Sequence, residues 1–130
     1  MDVVVVDDDH VGLELLRMVL EADGYTVRST STAAGAMELL NDVAPAALVT
    51  DLMMGPDRQD GFRLIDRVRA RPELARMPVI VLTGVTSSHE IGRARSTGAD
   101  RCLSKPIDVA EFLGVLREVT APTRASGTAG

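Results

Sequence analysis

Short apolar runs that stop on a polar residue, separated by stretches with helical spacing, constrain this chain more than any other feature. Val3 to Val6 runs into Asp7-Asp8-Asp9, and residues 46–50 run into Asp51. Val79 to Leu82 runs into Thr83, and Cys102-Leu103-Ser104 into Lys105-Pro106. A continuous β-branched run with no polar alternation is what a strand buried on both faces requires. Between the runs the period changes. Asp9 or His10 starts a helix to about Ala22, with Leu13, Leu16 and Leu20 on one stripe, Leu15 and Val19 beside it and Gly24 at its end. Ser31 or Thr32 caps a second helix through Leu40, and Asp60 caps a third from Gly61 to about Arg71. Residues Ser88 to Thr97 give a fourth, held inward only by Ile91 and Ala94, with Gly92 inside it. Asp108 caps a fifth, striped by Phe112, Leu113, Leu116 and Val119. Tyr25 to Arg28 reads as a short edge strand of mixed polarity.

Five strand–helix units in strict alternation specify an α/β fold with a parallel sheet and helices on both faces. Right-handed crossovers leave few topologies. The expected one is a flavodoxin-like, doubly wound five-stranded sheet in the order 2-1-3-4-5 with five helices, whose ligand crevice lies between strands 1 and 3. That topology gathers Asp7, Asp8, Asp51, Thr83 and Lys105 on the carboxyl edge of one sheet. Residues 1–120 carry the whole pattern. Residues 121–130 are small, polar and low in complexity, so they read as a flexible tail or the stub of a linker.

Composition narrows the function. With 130 residues, 45% hydrophobic and 25% charged, the chain suits one soluble domain with a real core. A formal net charge of −5 with no basic cluster argues against nucleic acid as a direct partner. Four apolar residues followed at once by three aspartates are neither a signal peptide nor a membrane span. A single cysteine, Cys102, excludes an internal disulfide and suits a cytoplasmic location. Cys102 itself reads as a small buried hydrophobe.

The edge constellation has a chemistry. Three carboxylates held within about 4 Å repel by roughly 4 kcal/mol per pair at an effective dielectric near 20. A hard divalent ion such as Mg²⁺ relieves this, using carboxylates, waters and phosphate oxygens. Asp51 then serves as the acceptor of a phosphoryl group, since aspartyl phosphate formation is an established form of nucleophilic catalysis. Lys105 can pair with Asp51 at rest and with a phosphate oxygen afterwards, while Thr83 offers a hydroxyl that rotates toward the phosphate. Lys105-Pro106 invites a cis peptide. Taken singly, Asp9 and His10 are a solvated loop and an N-cap, and an Asp after a strand is a turn residue. The set carries the reading, because each member ends a separate strand.

These residues resemble a known family. Val-Val-Val-Val-Asp-Asp-Asp-His, Leu-Val-Thr-Asp-Leu-Met-Met, Asp-Gly-Phe, Pro-Val-Ile-Val-Leu-Thr-Gly, Gly-Ala-Asp and Leu-Ser-Lys-Pro-Ile-Asp are similar, in order and spacing, to response-regulator receiver domains of the single-domain chemotaxis type. The resemblance covers about residues 2–119. It implies a two-component or phosphorelay signalling protein in which Asp51 takes phosphate from a histidine kinase or histidine phosphotransfer protein. It implies further that Asp7, Asp8, Asp51 and the carbonyl of Met53 bind Mg²⁺, that Thr83 and Lys105 contact the phosphoryl group, and that the changed conformation controls a protein target. Three positions depart from the family pattern. Gly55-Pro56-Asp57-Arg58-Gln59 pushes Asp60-Gly61 out by about two residues, and Cys102 stands where an aromatic is usual. Met53 and Val85, two residues after Asp51 and Thr83, are apolar and cannot orient water, which implies a long-lived aspartyl phosphate. Two rivals follow from the same residues. One is a constitutive pseudo-receiver interaction module. The other is an aspartyl-phosphate phosphohydrolase, which wants a second acid where Met53 stands.

Overall fold

The computed structural model describes residues 1–84 and 87–121; Val85 and the stretch 122–130, read above as a lifetime-tuning position and a tail, lie outside the described residues. Strands β1 (Asp2–Val6), β2 (Thr26–Thr30), β3 (Ala47–Asp51), β4 (Val79–Thr83) and β5 (Arg101–Ser104) form one sheet. All pair in parallel, in the order β2-β1-β3-β4-β5, as the alternation requires. Helices α1 (His10–Ala22), α2 (Ala33–Asp42), α3 (Asp60–Ala70), α4 (Ser88–Thr97) and α5 (Val109–Thr120) cover both faces, with a 3-10 turn, Pro72–Leu74, after α3.

The two-residue period of the strands divides the core. Val4, Val6, Leu48, Val79 and Val81 pack with Leu40 of α2, Phe62 and Ile65 of α3, and Ala94 of α4. Val3, Val5, Val49 and Ile80 face the other way, onto Leu16 and Leu20 of α1 and Phe112 and Leu116 of α5. Val3 to Val6 are essentially unexposed, so β1 is the sandwiched strand its composition demands. Each fully buried aliphatic or Phe side chain contributes about 1.5–3 kcal/mol.

Three helices begin on the caps read from the sequence. Asp9 accepts from the Val11 amide, Thr32 from Gly35 at 2.9 Å and Asp108 from Glu111 at 3.0 Å. The third does not. Asp60 is the first residue of α3, and the N-cap is Gln59, which makes no side-chain cap bond. The Asp60 carboxylate bonds Arg63 one turn on instead, at 2.8 Å. β2 is also displaced, beginning at Thr26 and running to Thr30. The Tyr25 amide is occupied in closing α1 on Leu20 O at 3.1 Å, while the β1 register pairs Val6 with Thr30.

Helix α4 is as thinly packed as its sequence suggests, with only Ala94 buried. Arginines compensate. The Arg93 guanidinium lies 3.8 Å from the Phe62 ring centroid. Arg69, from α3, donates to Gly98 O at 3.0 and 2.8 Å and to Asp100 Oδ2 at 2.9 Å, which ties the C-terminal end of α4 to its neighbour.

Candidate functional site

The register fixes the site. β1 and β3 are adjacent, with Val6 opposite Thr50, so Asp7 and Asp51 occupy the next position on neighbouring strands. β4 lies on the other side of β3 and pairs Thr83 with Ser104, the residue before Lys105. The Lys105 amide donates to Thr83 O at 2.8 Å, which holds the ends of β4 and β5 together. Among the described residues, Asp7, Asp8 and Asp51 each offer one carboxylate oxygen to a group whose members all lie within 4.8 Å of one another. All five side chains expected on the edge are there, and the Lys105–Pro106 peptide is cis.

Asp7 is 1% exposed and held from two directions. The Asp9 amide donates to its Oδ1 at 2.9 Å, and Lys105 Nζ to its Oδ2 at 2.9 Å. Asp51 is half-buried, and Lys105 Nζ stands 3.4 Å from its Oδ2. The resting lysine therefore sits closer to Asp7 than to the expected acceptor. Asp8 is exposed and Thr83 is 2% exposed. Beside Lys105 and Asp7 a cavity of about 310 Å³ opens toward α1 and α5, walled by Val11, Leu15, Ile107 and Val109.

Two carboxylates, Asp7 and Asp51, face one ammonium, and the protonation balance follows. Burial raises the Asp51 carboxyl above its ordinary range; Lys105 opposes this, and the Asp7 charge adds to it. Burial alone would lower the Lys105 pKa, but the hydrogen bond to Asp7 and the charge of Asp51 outweigh it, so the ammonium is held more firmly protonated. One lysine does not neutralise the group. A cluster of oxygen donors in excess of its own cation is the donor set a hard divalent ion takes, so the residues fit Mg²⁺.

Two further residues shape this edge: Gly61, which the sequence places only at a helix start and in a motif, and Arg63, to which it gives no role. Gly61 abuts the end of β3: a Cβ there would lie 2.1 Å from Leu52 O and 2.6 Å from Asp51 O. Only glycine lets α3 start so close to the acceptor. The 55–59 loop is exposed at Pro56, Asp57 and Arg58, and at its end the Asp60 amide bonds Met54 O at 3.0 Å. The second is Arg63, which closes that loop. The sequence contained the clue for Gly61 in its Asp-Gly pair, whereas nothing in the sequence singles out Arg63 from twelve other arginines. Cys102 is half-buried against the α2–α3–α4 side of the core, and burial pushes its thiol up against the opposing effect of Arg95.

The response regulator receiver domain, as a sequence family, matches residues 3–117. An uncharacterized 14.6 kDa protein of Leptolyngbya boryana is 36% identical over 118 residues, which is 91% of this chain and 88% of that protein. Response regulator MprA of Mycobacterium ulcerans is 34% identical over 122 residues, 94% of this chain but 51% of the relative. The chain thus spans about half the length of the MprA proteins it matches. A putative response regulator from Chloroflexus aurantiacus superposes with a TM-score of 0.86 at 28% identity, over 92% of this chain and 97% of the other. Chemotaxis response regulator CheY4 of Vibrio cholerae, at 24% identity over 91% of this chain and 97% of that one, has the same fold with a TM-score of 0.83.

Proposed function

The chain belongs to the response regulator receiver domain family, and from that premise we propose that Asp51 is the phosphoacceptor of a two-component or phosphorelay system, phosphorylated by a histidine kinase or histidine phosphotransfer protein. The observation that carries this reading is the Asp7–Asp8–Asp51 oxygen cluster with Lys105 Nζ bridging Asp7 and Asp51. In the transfer, a carboxylate oxygen of Asp51 forms a bond to phosphorus as the bond from phosphorus to the donor's imidazole nitrogen breaks. That nitrogen leaves with the electron pair. Asp51 is suited to attack because it is half-buried and ends a strand that is fixed on both sides.

Lys105 and Thr83 receive the product. The ammonium is 3.4 Å from Asp51 Oδ2 and needs only a small swing from Asp7 to meet a phosphoryl oxygen. Thr83, at the end of the neighbouring strand β4, supplies a hydroxyl. Asp7, Asp8, Asp51 and the Met53 carbonyl would hold Mg²⁺, which when bound offsets charge on the transferring group. The phosphorylated state then biases a two-state equilibrium read by a protein target. The thinly packed α4 is the element expected to shift. Met53 in place of an acid disfavours a phosphohydrolase.

Incubation with phosphoramidate and Mg²⁺ followed by intact-mass analysis tests the assignment. One phosphoryl adduct, absent in Asp51→Asn, is expected. An unmodified wild-type protein, or an adduct that survives the substitution, would remove Asp51 as acceptor.

A further inference from the structure

One side chain, Arg63, links two carboxylates of the loop between β3 and α3. Arg63 Nη1 donates to Asp57 Oδ1 at 3.0 Å and to Asp60 Oδ1 at 2.8 Å, and its Nη2 donates to Asp57 Oδ2. Asp57 is bound again from within the loop, where the Gln59 amide meets its Oδ1 at 3.1 Å. The hydrogen bond from Arg63 holds the Asp57 carboxyl below its ordinary range. Two backbone bonds complete the closure, Arg58 N to Gly55 O at 3.1 Å and Asp60 N to Met54 O at 3.0 Å.

The loop needs such a clamp. Arg58 has φ +59°, a left-handed conformation that side chains disfavour, and Gly55 has φ +86° against the Asp60 carboxylate. An isolated exposed ion pair contributes little, but a planar guanidinium shared between two carboxylates is the geometry in which such a pair is effective. Asp57 and Asp60 are not in the Asp7–Asp8–Asp51 group, so the clamp adds no ligand to it. What it borders is Met54, next to Met53.

We propose that Arg63 is a positioning residue for the divalent cation: by tying Asp57 to Asp60 it keeps the 55–59 loop shut and the Met53 carbonyl on the site. This rests on the reading above that Met53 is a cation ligand. In a chain with a longer loop than its family usually has, the clamp does the work that a shorter connection would do by itself. Opened, the loop gives the carbonyl freedom to leave, and cation affinity falls while the three carboxylates stay in place.

Calorimetric titration of Mg²⁺ into the full chain and into Arg63→Met, Asp57→Asn, the double variant and Arg63→Lys tests this, with amide hydrogen exchange of Asp60 read alongside. Loss of an outer partner of a metal ligand costs about tenfold or more in affinity. Arg63→Met is expected to weaken Mg²⁺ by about tenfold, with faster Asp60 exchange and the melting temperature nearly unchanged. The double variant should be no worse than either single one, and Arg63→Lys, which keeps the charge but lacks the planar fork, should recover part of the loss. Wild-type affinity in Arg63→Met overturns the proposal and leaves the cation site standing. So does a loss of affinity with unchanged Asp60 exchange and a lowered melting temperature, which marks a general structural role. If the wild-type chain itself binds no Mg²⁺, the cation site falls and the proposal with it.

Discussion

Replacing Gly61 by alanine puts a methyl group where the backbone of the acceptor strand already is. The new Cβ would sit 2.1 Å from Leu52 O, where ordinary contact starts at 3.4 Å. The first turn of α3 must therefore withdraw by the difference, about 1.3 Å. It cannot tilt freely, because Phe62, Leu64 and Ile65, the next residues on that side, are all 3% exposed or less. Overpacking of this kind costs about 1–3 kcal/mol. For a domain of this size each kcal/mol is worth about 4 °C, so Tm should fall by about 4–12 °C. The strand end moves with it, and a misplacement near 1 Å at a reacting group can slow chemistry by up to about a hundredfold. Gly61→Ala should therefore melt lower and take phosphate from phosphoramidate about ten to a hundred times more slowly. Thermal denaturation and a mass-spectrometric time course read the two effects. Wild-type values for both would show that α3 does not set the geometry of Asp51.

Four further outcomes follow from the same structure. Asp51 titrates higher in the fold than in the unfolded chain, so protonation favours folding and the charged form weakens it at neutral pH. In urea denaturation Asp51→Asn should exceed wild type at neutral pH, with the margin vanishing as pH falls through the folded-state pKa; equal stability throughout would contradict the crowding of charge at the site. Arg69→Ala removes bonds to Gly98, Ala75 and Met77 carbonyls and to Asp100, and should cost about 2–3 kcal/mol in the same assay. The Cys102 thiol, raised by burial, should react with iodoacetamide at neutral pH far more slowly in the native protein than in urea. The phosphorylated protein in Mg²⁺ should hold its phosphate well beyond a few seconds, and Met53→Asn should shorten that lifetime.

Much of this was legible in the sequence because short-range rules sufficed. A sandwiched strand must be apolar on both faces, and Val3 to Val6 is. An N-cap needs a short acceptor side chain, and Asp9, Thr32 and Asp108 provide it. Strand alternation plus handedness then brought Asp7, Asp8, Asp51, Thr83 and Lys105 together without any contact being known. What escaped depended on competition in three dimensions. Asp60 looks like a cap until Arg63, three residues on, takes its carboxylate. Lys105 faces two aspartates, and sequence cannot rank Asp7 above Asp51 because the ranking is a matter of tenths of an ångström. Arg69 works across 29 residues to Gly98, a separation at which no sequence period applies.

The most direct test of the account is an amide NMR titration of the wild-type chain with beryllofluoride and Mg²⁺, with Asp51→Asn alongside. Saturable shifts at Asp7, Asp51, Thr83 and Lys105 that reach α4 and vanish in the variant are the predicted result. An unperturbed spectrum, or the same shifts in Asp51→Asn, would contradict Asp51 as the acceptor of a phosphorylation switch.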